Sequence, residues 1–400
     1  VMFKLSERAK NLKPSATLAV DAKAKALKAQ GIDVINLSAG EPDFDTPSYI
    51  KESCKKALDE GLTKYIPTPG LLSLRKAICE RIKSDYGFEY TPEEVLVTTG
   101  AKQAIFNLLL ALVDKGDEVL ILSPYWVSYP AMVELAGGTT KFIPSDMANN
   151  FEPSISDIEA AISSNTVGII LNSPSNPTGC IYSDRFLKDL AELLRGKDIW
   201  VLSDDIYDKL RFDFAPPKNI LSVAPDFKER VFIVNGVSKT YAMTGWRIGW
   251  LVGPKEIIKI CANIQGQSTS HATSFAQKAC ETALTSSQEE VEKMCRVFAK
   301  RAKVLSEELK KIPGIKFIEP KGAFYLFADV SAYYGKKTKE GKEIVSSLDL
   351  AEYLLDEARV AVVPGIAFGD DRFIRLSFAN SEESLKEACH RIKQALSQLR

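Results

Sequence analysis

The residues with the most chemistry to offer sit in one stretch, Asn235-Gly-Val-Ser-Lys-Thr-Tyr-Ala-Met-Thr-Gly-Trp-Arg-Ile-Gly-Trp250. An apolar run, Val231 to Val234, leads into it and reads as a buried strand. A loop of small residues then holds Lys239, and Arg247 opens a second apolar run, Ile248 to Val252. A lysine amine can form a Schiff base with a carbonyl, while the arginine and the Ser238 hydroxyl hold a phosphate nearby. A lone loop lysine is ordinarily a solvated charge, so the whole string is what singles out Lys239. The two histidines, His271 and His390, supply histidine triads and zinc clusters poorly. The chemistry must come from Lys, Asp, Tyr, Arg and a borrowed group.

Several other strand ends carry polar residues. Val95 to Thr99 reads as a strand, and Gly100-Ala-Lys-Gln starts a helix whose free N–H groups form an anion cup. Glu118 to Ser123 is a strand followed by Pro124-Tyr-Trp-Val-Ser-Tyr, with Trp126 offering a flat apolar face. Val167 to Leu171 runs into Asn172-Ser-Pro-Ser-Asn-Pro-Thr-Gly179, where cis bonds are expected before Pro174 and Pro177. Trp200 to Ser203 leads to Asp204-Asp-Ile-Tyr207, placing Asp204 at the strand end that faces a ligand crevice in α/β sheets. Asp205 reads as an N-cap or surface ion-pair residue. Arg375, within Phe-Ile-Arg-Leu-Ser-Phe, lies between two apolar neighbours and points to the opposite face from them.

From Gly236 through Gly249 the lysine string resembles the pyridoxal-phosphate attachment motif of class I/II aminotransferases. The resemblance spans nearly the whole chain, with Gly40, Tyr65, the Gly100 cup, Trp126, Asn176, Asp204, Tyr207, Lys239, Arg247 and Arg375 in family order. One element departs slightly: Asn172-Ser-Pro stands where the family has Asn-Pro. The resemblance implies a fold-type I PLP-dependent transferase, an α/β protein with a mostly parallel seven-stranded sheet, helices on both faces, and a smaller α/β domain. The expected division is a large domain of residues 46–288 and a small one of residues 1–45 and 289–400.

The resemblance also implies roles. Lys239 holds pyridoxal 5'-phosphate, Asp204 faces the ring nitrogen, Tyr207 and Asn176 face its phenolic oxygen, and Trp126 stacks on the ring. Gly100, Ala101, Lys102, Ser238 and Arg247 hold the phosphate, with Tyr65 reaching over from the partner of a homodimer. Arg375 clamps the substrate's α-carboxylate and the Gly40 amide touches it. No arginine stands at 268–274 to bind a distal carboxylate. Gly-Ala-Lys-Gln and Lys-Pro-Ser-Ala-Thr instead resemble the subgroup most similar to aspartate aminotransferases that uses a lysine, which assigns that work to Lys102 with Ser15 and Thr17. Amino-acid and 2-oxo-acid substrates follow, with aspartate or glutamate as donor and prephenate as a further acceptor. A PLP-dependent lyase or cyclopropane-forming synthase on the same scaffold, and an effector-sensing domain of a transcription regulator, are the competing readings.

Composition bounds the rest. Hydrophobic residues at 45% and charged ones at 26% are ordinary for a globular chain with a large core. Lys+Arg 52 against Asp+Glu 52 leaves no basic field for nucleic acid or an anionic membrane. Seven scattered cysteines without a CxxC read as reduced core thiols, no metal site is expected, and the start lacks a signal-peptide core, so a cytoplasmic protein is expected. A helical stretch from Pro254 to about Ile312 is expected to bridge the two domains.

Overall fold

The computed structural model describes residues 1–400, apart from the side chains of Ala16 and Thr17. Short strand β1 (Ile35–Asn36) precedes the main sheet. That sheet is made of β2 (Val95–Thr98), β3 (Glu118–Ser123), β4 (Thr139–Pro144), β5 (Thr166–Asn172), β6 (Trp200–Asp204), β7 (Val231–Gly236) and β8 (Gly249–Val252). Their order is β2-β8-β7-β6-β5-β3-β4, and all neighbours run parallel except β8, which is antiparallel to both β2 and β7. The expected seven-stranded, mostly parallel sheet is therefore what the chain forms.

The continuous apolar runs make physical sense here. Ile169 and Leu171 of β5 face one core while Ile170 faces the other, and Val201 and Leu202 of β6 divide likewise. A strand covered on both faces has no polar side to show. Each fully buried Ile or Leu adds about 1.5–3 kcal/mol relative to an exposed one.

A second sheet lies elsewhere in the chain: β9 (Lys316–Phe317), β10 (Tyr325–Asp329), β12 (Val363–Pro364) and β13 (Phe373–Ser377), antiparallel in the order β12-β13-β10-β9. Between them β11 (Val360–Ala361) pairs in parallel with β1, so the N-terminal segment joins the C-terminal part. This second sheet has its own core, containing Phe298, Phe324, Leu376 and Phe378.

The expected single bridge over 254–312 is corrected. Three helices occupy it, Lys255–Gly266, Ser274–Thr285 and Glu289–Lys310. The first break falls at residues 267–273, where Ser270 adopts a left-handed φ of 63° that a continuing helix does not allow. The expected cis bonds at Ser173-Pro174 and Asn176-Pro177 are present, and Ser123-Pro124 is a third.

Candidate active site

The carboxyl ends of β2, β3, β5, β6 and β7 open onto one cavity of about 320 Å3. It gathers Ser15, Gly40, Ala101, Lys102, Trp126, Asn176, Asp204, Tyr207, Ser238, Lys239, Arg247 and Arg375, although they come from both ends of the chain. A parallel sheet does this by construction, because every strand delivers its following loop to the same edge.

Lys239 follows β7 and donates from its Nζ to the Gly40 carbonyl. Its side chain keeps some exposed surface along the cavity, yet the amine is deep enough that burial lowers its pKa to about 8. Arg375 and Arg247 push the same way, while Glu41 and Asp204 oppose them. A lysine in this condition is partly neutral near pH 7–8 and can act as nucleophile or base.

Asp204 ends β6 with 4% of its surface exposed. Burial lifts its pKa to about 6, against a 2.5 Å hydrogen bond from the Tyr129 phenol, the Ile206 N–H at 3.3 Å, and the Lys239 charge. The neighbouring carboxylate departs from expectation. Asp205 is 2% exposed, accepts from Ser203 at 2.7 Å and Asn219 at 2.8 Å, and lies 3.0 Å from the Tyr86 phenol oxygen. It sits in a buried polar cluster outside the cavity lining and is neither a cap nor a surface ion pair.

Tyr207 is buried and shares a 2.8 Å hydrogen bond with Tyr325, so its phenol is held far above its usual pKa by burial and by that neighbour. Asn172 fixes the loop beside it, donating to the Asp204 carbonyl at 3.0 Å and accepting from the Asn176 N–H at 2.9 Å. Asn176 Oδ1 accepts from Arg375, which leaves the Asn176 amide nitrogen as the donor for a ligand. Arg375, 1% exposed, also donates to the Ser38 carbonyl at 2.8 Å.

The anion cup forms where the Gly100–Leu112 helix starts. Gly100 has φ +80°, and a Cβ there would sit 2.4 Å from Arg247 Nη2. A Cβ at Gly249 would sit 2.4 Å from the Ala101 nitrogen. The two glycines thus let the guanidinium and the helix terminus close on one spot. Lys102 stands at the exposed mouth with its Nζ 5.0 Å over the Trp126 ring. Partial desolvation and then the Arg247 charge lower its pKa. Gly40 lines the wall, but it is its carbonyl, not its amide, that is engaged within the chain.

One expected residue is not brought in by this chain. Tyr65 is 91% exposed, set edge-on to His271, and does not line the cavity. Ser15 does line it, while the Thr17 side chain lies outside the described residues. Tyr129, Tyr325 and Asn172, which hydrogen-bond to Asp204, Tyr207 and Asn176 in turn, are residues that the sequence reading missed. The signal that could have found the first was an aromatic three residues after Trp126 past a strand end, since a turn there, with the Tyr129 N–H donating to the Trp126 carbonyl at 3.1 Å, sets the two rings edge-on at 5.3 Å.

Residues 32–392 match the family model described as aminotransferase class I and II. A probable aspartate/prephenate aminotransferase of Rickettsia felis is 47% identical over 392 residues, covering 98% of this chain and 96% of that protein. The crystal structure of the aspartate aminotransferase from Rhizobium meliloti superposes with a TM-score of 0.95 at 41% identity, covering all of both chains. That of the Thermus thermophilus aspartate aminotransferase with maleate gives 0.92 at 42% identity, covering 98% of this chain and 100% of that one. A matching profile over most of the length, relatives well above a third identical, and a shared fold over the full chain leave one assignment: the chain belongs to the class I and II aminotransferases.

Proposed function

We propose that the chain moves the amino group of aspartate or glutamate to a 2-oxo acid in two half-reactions of a ping-pong cycle, with pyridoxal 5'-phosphate as cofactor. The observation that carries this reading is the Lys239 amine, brought to about 8 by burial, in one cavity with the buried Asp204 carboxylate and the buried Arg375 guanidinium. The residues fit that cofactor. Gly100 and Gly249 leave space that a Cβ would take, at a helix terminus beside Arg247, which suits a phosphate. Gly100, Ala101, Lys102, Ser238 and Arg247 would hold it there. Trp126, Asn176, Asp204 and Tyr207 would hold the ring. When bound, the cofactor supplies an electron sink for the bond broken at the substrate's Cα.

The chain's own residues do the rest. Lys239 takes the proton from the substrate's Cα and later returns one. Asp204, kept from water, sets a negative charge at the back of the cavity. Tyr207, locked to Tyr325, presents its phenol without rotating away. Arg375 binds the α-carboxylate with its planar fork. Lys102, with Ser15 and Thr17, binds the distal carboxylate. Maleate, with which the Thermus thermophilus enzyme was solved, is a dicarboxylate of matching type. Prephenate as a second acceptor is supported by the Rickettsia felis relative, a probable aspartate/prephenate aminotransferase.

The proposal includes a cytoplasmic homodimer, in which Tyr65 of each copy completes the other's phosphate site; its 91% exposure supports this. It also includes the division into residues 46–288 and residues 1–45 with 289–400, supported by the separate cores of the two sheets. Among the described residues no helix is long and apolar enough to cross a membrane. The deciding experiment is Lys239→Ala: turnover with aspartate and 2-oxoglutarate should vanish together with the visible absorbance of the loaded protein. Unchanged turnover would end the proposal. Product analysis separates the lyase reading, since a transaminase makes glutamate from 2-oxoglutarate.

A further inference from the structure

Residues 40–46 cross from the second sheet to the first, and the lysine-bearing loop pins them at both ends. Glu41 accepts from Thr244 at 2.9 Å, while Thr46 donates to the Ala242 carbonyl at 2.6 Å and accepts from Trp246 at 3.2 Å. Between these lies a fastening that reaches the other way. Arg301, on the Glu289–Lys310 helix, grips Asp43 with both arms of its fork, at 2.7 and 2.9 Å. Its surface is 8% exposed, and its guanidinium lies over the rings of Phe44 and Phe298, at 5.2 and 5.5 Å. A charge taken this far out of water is unfavourable unless its geometry is met in full, and here a bidentate carboxylate and two ring faces meet it.

Two physical routes lead from this pair to the cavity. Phe298 stacks on Phe324 at 5.3 Å, and Phe324 meets Tyr207 edge-on at 5.6 Å and lies 5.9 Å from Lys239 Nζ. From Asp43 the backbone reaches Gly40 in three residues, with the φ of Pro42 fixed by its ring. The Gly40 carbonyl accepts the Lys239 amine. We propose that Asp43 and Arg301 form a positioning pair for the reaction, setting the place of Gly40 and, through it and the Phe298–Phe324 stack, that of Lys239 and Tyr207. The inference rests on the aminotransferase reading given above, and neither residue touches the cavity.

The test compares the cofactor-loaded full chain with D43N, R301Q and the double variant D43N/R301Q. D43E and R301K keep both charges but alter reach or fork geometry, and serve if the first set folds poorly. KM and kcat for aspartate with 2-oxoglutarate, cofactor retention by visible absorbance, and heat stability are read for each. D43N and R301Q should raise KM and lower kcat/KM on the order of 10²-fold, the loss that a misplacement of about 1 Å brings. Cofactor retention should hold. The double variant should lose no more than either single one, because one interaction is removed twice. D43E and R301K should fall between these and the wild type. Variants with lowered heat stability but wild-type KM, or losses that simply add, overturn the proposal. A wild type that does not transaminate in the same assay removes the functional reading, and the pair's role falls with it.

Discussion

Arg375 Nη1 donates to Asn176 Oδ1 at 3.0 Å, a bond that ties β13 of the second sheet to the loop after β5 of the first. The guanidinium lies 4.3 Å over the Tyr325 ring, and its buried Nε has no partner among the described residues. A buried donor left unmatched within the chain is what an arriving carboxylate can satisfy. Arg375→Lys keeps a charge but loses the fork and the stack. It should cost about 2–5 kcal/mol in kcat/KM for aspartate, mostly through KM. Steady-state kinetics check this, and a wild-type KM would mean that the α-carboxylate binds elsewhere.

Lys102 is the residue on which side-chain selection turns. Its amine stands at the cavity mouth over Trp126, with no acidic partner among the described ion pairs. Lys102→Ala should reduce kcat/KM for aspartate by about 1.5–3 kcal/mol, the worth of a hydrogen bond to a charged group, and leave alanine nearly untouched. The ratio of the two rates is the measurement. An unchanged ratio removes Lys102 from distal-carboxylate binding.

Gly100→Ala attacks the cup from the backbone. The added methyl meets Arg247 Nη2 at 2.4 Å and Cζ at 2.8 Å, and the φ of +80° disfavours any side chain. The left-handed conformation alone costs about 1–2 kcal/mol. Cofactor affinity, followed by titration of the visible absorbance, should fall while the fold persists. A variant that binds as tightly as the wild type would place the phosphate away from Arg247.

Much of the fold and cavity was legible because it is written in runs and punctuation. Val231 to Val234 and Val167 to Leu171 are continuous apolar strands that a two-faced parallel sheet requires, and each ends in the polar loop that lines the cavity. Lys239 and Arg247 share one local string, so spacing alone could pair them. Asp205 was misread because burial is a tertiary property. Nothing next to it in sequence announces that Asn219 and Tyr86, 14 and 119 positions away, converge on it. Tyr325 escaped for the same reason, since its bond to Tyr207 spans 118 positions. The three helices of 254–312 were merged because polar Ser, Thr and His residues at 268–273 do not by themselves end a helix pattern.

Asp205 shares a buried proton with two neighbours. Tyr86 Oη lies 3.0 Å from Asp205 Oδ2 and 2.8 Å from Asp208 Oδ2, and one phenolic proton cannot serve both. A carboxyl proton on Asp205, donated to Tyr86 while Tyr86 donates to Asp208, satisfies all three groups. Burial is the main cause that lifts Asp205 to about 8 and Asp208 to about 6, with Asp85 adding to the latter against Lys209. An unfolded aspartate titrates near about 3.9, so between that pH and about 8 the folded chain holds a proton that the unfolded chain has lost. The stabilisation is fully present at the acid end of this window and is lost as pH rises through the folded pKa, on the order of a few kcal/mol in all. Asp205→Asn cannot titrate there. The difference in urea midpoint between wild type and variant should therefore shift steadily in the variant's favour from about pH 5 to about pH 8. A difference that stays constant over that range would mean that Asp205 is already ionised when folded, and the shared proton would have to be abandoned.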